Sequence, residues 1–126
     1  MATTQSVTTV NLIAGADLTD AYSEAVKINN QGRAVKTTGA NDVAVGVVTA
    51  AASKSGVGNV VAVGLFGAGG ILRVKAGGNI SRGQFLAPST TNGALIGNGS
   101  RQGNSVGIAL DAASSGDFLR CLALVA

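Results

Sequence analysis

Val45-Gly46-Val47-Val48-Thr49-Ala50-Ala51-Ala52-Ser53 and Val106-Gly107-Ile108-Ala109-Leu110-Asp111-Ala112-Ala113-Ser114 are two copies of one pattern, an aliphatic strand broken by one glycine and ending in a small-residue turn. They lie 61 positions apart, and the same offset relates Gly32 to Gly93. Upstream, Gly15-Ala16-Asp17-Leu18 matches Gly77-Gly78-Asn79-Ile80 at an offset of 62. Self-similarity at a fixed period marks one supersecondary unit used twice. Each copy reads as a turn, a short strand, a glycine turn, a strand pair, the Val-Gly-aliphatic motif and a closing apolar strand. One such unit has too little apolar surface to stand alone, so the two are expected to pack into one domain.

Working outward, the apolar residues fall in short runs bounded by Gly, Asn and Ser, which is the punctuation of strands. Strands are expected near Val7–Ile13, Ala25–Asn29, Ala34–Thr37, Val43–Thr49, Val60–Leu65, Ile71–Lys75, Gln84–Ala87, Val106–Leu110 and Phe118–Leu124. In Ile71-Leu72-Arg73-Val74-Lys75 the alternation puts Leu72 and Val74 inside and Arg73 and Lys75 outside. Phe118–Val125 is apolar on both faces apart from Arg120, which suits a strand buried on both sides or lying in a subunit interface. Asp17 is placed to cap a two-turn helix over Leu18–Ala25, and a plain turn fits the same residues equally well.

The chain has 126 residues with 19 Gly, no Trp, one Tyr and three Phe, so its core is built from Val, Leu, Ile and Ala. Glycine loses more backbone freedom on folding than any other residue. Such a domain is a marginal monomer, and the missing stability is expected from self-association or a large partner surface. Only 12% of residues are charged, which argues against whole-chain disorder.

The nine Lys and Arg residues are scattered rather than clustered, so no nucleic-acid partner is expected. The single Cys121 excludes an intrachain disulfide and reads as a small buried hydrophobe. The first ten residues lack the basic and apolar regions of a signal peptide, and the apolar stretch Val60–Leu72 is too short to span a bilayer. A soluble protein made in the cytosol, with no membrane partner, is the expectation.

There is no histidine, which removes a Ser–His–Asp triad, a Cys–His pair and any His-ligated metal. The carboxylates Asp17, Asp20, Glu24, Asp42, Asp111 and Asp117 read as caps and turn residues. Gly67-Ala68-Gly69-Gly70 lacks the Lys-Ser/Thr of a phosphate loop and precedes a strand. No enzyme activity, cofactor, metal or small-molecule substrate is expected.

Three stretches carry a family resemblance: Ala44–Ala52, Gly78-Asn79-Ile80-Ser81-Arg82-Gly83-Gln84-Phe85-Leu86, and Ser105–Asp117. Together they resemble the small capsid decoration (cement) proteins of phages and prophages, over roughly Ala25 to the C-terminus. The first copy departs from the pattern, with Ser53-Lys54-Ser55-Gly56-Val57-Gly58-Asn59 where the second has Ser115-Gly116-Asp117. The resemblance implies a compact all-β domain of β-barrel or β-tulip type. It also implies a homotrimer seated on the major capsid protein, on the outer surface of a virion at threefold positions. The alternative is a head-fibre or host-surface-binding module, against which the few aromatics speak. A hydrolase using carboxylates alone is the remaining class.

The expected organisation is an extended N-terminal arm over residues 1–14 and one β domain over 15–126, with repeat halves near 15–65 and 77–126. The arm's Thr3, Thr4, Gln5, Ser6, Val7, Thr8, Thr9 and Val10 are uncharged and partly β-branched, so they favour extended chain. No hairpin partner lies nearby, and strand addition to a capsid protein or neighbouring subunit would suit so bland a segment.

Overall fold

β-Branched and leucine-rich runs between glycine turns give ten strands and one 3-10 turn in the computed structural model, which describes residues 7–50 and 56–124. The first half holds β1 (Thr9–Ile13), β2 (Ala25–Ile28), β3 (Ala34–Lys36), β4 (Gly46–Ala50) and β5 (Val60–Leu65). The second holds β6 (Ile71–Lys75), β7 (Phe85–Pro88), β8 (Leu95–Asn98), β9 (Gly107–Ala109) and β10 (Phe118–Ala123). The turn Phe66–Ala68 joins them. The protein is all-β.

Each half forms one five-stranded antiparallel sheet, and the strand orders match: β1-β5-β4-β2-β3 and β6-β10-β9-β7-β8. The match extends to single hydrogen bonds. Gly15 N–H donates to the Ala34 carbonyl at 2.8 Å, and Gly77 N–H to that of Leu95 at 2.7 Å. Gly58 N–H donates to Ala14 and Gly116 N–H to Ala76, both at 2.8 Å. Gly58-Asn59 is therefore the structural counterpart of Gly116-Asp117, and the longer connection before β5 absorbs the departure between the copies. Ser53, Lys54 and Ser55, with Ala51 and Ala52, lie outside the described residues.

The two edges of each sheet meet through a single parallel bridge, Ala14 with Ala34 and Ala76 with Leu95. A lone bridge replaces the continuous ladder that would close a barrel. Each sheet is curled with an open seam, so within the expected β-barrel or β-tulip type of all-β domain no closed barrel forms.

The core is also divided. Leu18, Val26, Val48, Val61 and Val63 fill the first half. Leu72, Val74, Leu86, Leu95, Leu119 and Cys121 fill the second, joined there by Ala25, Val47 and Phe66 of the first half. Strands β2 and β4 thus bury both faces, Val26 and Val48 inward and Ala25 and Val47 against the second half. Ala25 N–H donates to the Gly93 carbonyl at 2.7 Å, and Gly93 N–H to that of Thr37 at 2.9 Å, tying the halves through main chain. The residues after Asp17 form turns rather than a helix; Ser23 within them is buried with φ 66.

Candidate functional site

Two surfaces were singled out by sequence, the N-terminal segment and the C-terminal strand. Of the first, Thr3, Thr4, Gln5 and Ser6 lie outside the described residues. Thr9 and Val10 belong to β1 and pair with Gly64 and Val63 of β5. The Thr8 carbonyl accepts Leu65 N–H at 2.9 Å, and Val7 packs against the second-half core. The partner that the sequence did not reveal is a strand some fifty residues away, not a hairpin neighbour. Val7 to Val10 are accordingly engaged within the chain, and removing them would strip β5 of part of its ladder.

The C-terminal strand β10 lies between β6 and β9. Leu119, Cys121 and Ala123 point into the core, while Phe118, Arg120 and Leu122 point outward. Across the ladder, Phe118 faces Lys75, Arg120 faces Arg73, and Leu122 faces Ile71 on one side and Ile108 on the other. The outward face is therefore apolar and basic. Phe118 and Leu122 are 40% and 41% exposed, which is large for residues at the middle of a sheet.

Cations on this face differ in their partners. Arg120 Nε and Nη2 reach the two oxygens of Asp111 at 3.0 and 2.9 Å, a bidentate pair. The Arg120 side chain and backbone N–H hold the Asp111 carboxyl at about 2, below the usual aspartate value. Arg73 instead lies over two rings, its guanidinium carbon 4.1 Å from the centroid of Phe118 and 5.3 Å from that of Tyr22. Among the described residues no carboxylate pairs with Arg73 or Lys75. Tyr22 comes from the first half and is 48% exposed, so the stack also bridges the repeat. Sequence reading placed Arg73 outside but missed the stack, because nothing in the chain connects Tyr22, Arg73 and Phe118 before the register is known.

The Asp111–Arg120 pair has a testable pH signature. The folded carboxyl titrates below its unfolded counterpart, so its contribution is complete above about 4 and fades as pH falls toward 2. Asp111→Asn should therefore lower stability at pH 7 by up to about 1 kcal/mol, the upper end for a surface pair. In urea titrations the gap between the variant and the parent should shrink steadily as pH falls from 4 and close as it passes below the folded value of about 2.

Four of the other five carboxylates are occupied locally, Asp117 by the Ser114 N–H at 3.3 Å. Asp17 accepts from Thr19 N–H and hydroxyl at 3.0 and 2.6 Å. Asp42 accepts from Thr38 and Gly39 N–H and pairs with Lys27 at 3.1 Å. Glu24 pairs with Lys36 at 3.4 Å. Burial pushes the Cys121 thiol up to about 12, which keeps it protonated and inert. A shallow groove of about 340 Å³ lies where the halves meet, with amides of Asn41, Asn98, Gln102 and Asn104 around Ala87, Pro88 and Ile96. Asn104 Nδ2 spends its protons on the Ala40 and Asp42 carbonyls at 2.7 and 3.1 Å, so it fastens the halves together.

No family model matches the chain, and no curated protein does. Among solved structures, the fold is shared with the N base of head fiber gp8.5 of bacteriophage phi29. That likeness has a TM-score of 0.60 at 15% identity and covers 95% of this chain and 96% of the other. The two chains share the whole domain, with little of its sequence.

Proposed function

We propose that this chain is a structural protein of a phage virion, seated on the outer surface of the capsid as a decoration protein. The observation that carries the reading is the fold shared end to end with the base of a phage head fiber. The sequence resemblance to cement proteins and the exposed apolar face of β10 support it. The chain binds the major capsid protein as a homotrimer and performs no catalysis. Thr3 to Ser6 add anchoring to the capsid protein. A second reading, the base of a head fibre, is favoured by the same structural neighbour; both readings share the seat on the capsid.

The test uses capsids purified from a phage lacking this gene product. The added full-length chain should co-sediment with them at saturation, in copy numbers divisible by three. Removing Ala2–Ser6, which spares β1, should weaken retention. A decoration protein raises the temperature at which the shell opens, whereas a fibre base leaves that temperature unchanged and alters adsorption to cells. Absence of saturable co-sedimentation would reject both readings.

A further inference from the structure

An arginine that lies over two exposed rings and, among the described residues, pairs with no carboxylate is an unfinished ion pair. Contact with both rings restrains the Arg73 guanidinium, so less rotamer freedom remains to be lost when its N–H fork binds. The neighbouring Arg120 shows what such a fork accepts on this face, since it holds Asp111 through two parallel bonds. Lys75 projects from the same side of β6, two residues along. Around these cations lie Tyr22, Phe118, Leu122 and Ile71, exposed or half-buried. Arginine and aromatic side chains gathered in this way are the typical composition of an interface centre.

We infer that the outward face of β6 and β10, centred on Arg73, is a docking surface for a protein partner that presents carboxylates among apolar side chains, the Arg73 fork taking one carboxylate bidentately. Charge argues for a different protein over a second copy. The chain carries nine cations and six carboxylates. Five of the six are already held, Asp17 by Thr19, Glu24 by Lys36, Asp42 by Lys27, Asp111 by Arg120 and Asp117 by the Ser114 N–H. A second copy therefore has little free acid to offer. The identity of the partner as the capsid protein rests on the function proposed above; the chemistry of the face does not.

The experiment measures retention of the full-length chain on undecorated capsids against salt, with circular dichroism to confirm folding. Arg73→Glu should reduce affinity roughly tenfold or more, and Arg73→Lys, which keeps charge but loses the planar fork, should fall between it and the parent. Leu122→Glu, on the same face but outside the ring stack, should weaken binding as well. Arg33→Glu, in the β2–β3 turn of the first half, should bind as the parent does. If the parent binds and Arg73→Glu and Leu122→Glu bind equally well, the inference is overturned and the capsid reading stands. Loss of self-association in Arg73→Glu, with capsid affinity unchanged, overturns it in favour of a second copy as occupant. Should the parent fail to bind capsids, the capsid reading falls and a peptide titration decides the inference. A soluble peptide of alternating Glu and Leu should then shift the Arg73 Nε–H resonance saturably in the parent and not in Leu122→Glu. No shift, or a stronger response to a single-stranded oligonucleotide, overturns it.

Discussion

Gly46→Val and Gly107→Val should each cost roughly 3–5 kcal/mol, enough to unfold much of the protein at 37 °C. The two residues occupy the same place in the two sheets, at the start of β4 and of β9. A Cβ at Gly46 would run into the Gly64 carbonyl on β5. A Cβ at Gly107 would stand 2.6 Å from the Leu122 carbonyl and collide with the Cys121 sulfur. Both obstacles include the main chain of a paired strand, so relief requires that strand to move and its ladder to break. Flexible side chains cannot absorb the overlap. Gly67→Ala is the control, because a Cβ there meets nothing within 4 Å. It should stay within about 0.5 kcal/mol of the parent. Urea midpoints for the three variants decide the matter: if either valine variant shifts as little as Gly67→Ala, the close approach is not what the glycine is for.

This result would explain why the repeat was visible at all. Most of the sequence between the copies has diverged, since any small aliphatic residue fills a β interior. What persists is the glycine where a crossing backbone leaves no room, together with the turn glycines at Gly32 and Gly93, with φ of 76 and 72. Strand positions were legible for the same reason, being bracketed by residues whose backbone needs are specific. The exception is β8. Leu95-Ile96 runs into Gly97-Asn98-Gly99, which reads as a turn, yet Gly97 sits within the strand opposite Leu86. The repeat held the correction, because Ala34-Val35-Lys36 in β3 falls on Leu95-Ile96-Gly97 at the offset of 61.

Pairing was less legible than position. In the order β1-β5-β4-β2-β3 only β2–β3 is a tight hairpin, whereas the β1–β5 and β2–β4 pairings join segments far apart in the chain that no local turn specifies. Hence the segment from Val7 to Val10 read as an unattached arm although β5 holds it. The candidate site suffered from the same gap. Alternation put Arg73 on the outer face, but its two rings arrive from Tyr22 and Phe118 through tertiary packing. Composition showed only that aromatics are few; that Tyr22 and Phe118 stay at the surface is visible in the structure alone.

The one aromatic deep in the core is Phe66, 3% exposed, in the turn that joins the halves. Its N–H donates to the Val45 carbonyl at 3.1 Å, and its ring packs into the second-half core. It thus starts from the end of the first sheet and is buried in the second. A buried phenyl replaced by alanine loses its transfer free energy and leaves a cavity, typically about 3–5 kcal/mol. Phe66→Ala should lose that much here, because a close-packed core relaxes only partly around the space a phenyl ring leaves. Phe118→Ala, which removes an exposed ring, should lose about 1 kcal/mol or less by the same reasoning of area. The larger consequence concerns cooperativity. Each half keeps its own apolar cluster, and Phe66 is the largest of the side chains that the first half and the joining turn bury in the second cluster. Its removal should separate two unfolding steps, the first-half sheet, with its smaller cluster, melting first. Hydrogen exchange read separately over β1–β5 and β6–β10 would show this as unequal protection in Phe66→Ala and equal protection in the parent. Equal protection in both proteins would mean that the main-chain bonds at Gly93, not the phenyl ring, couple the halves.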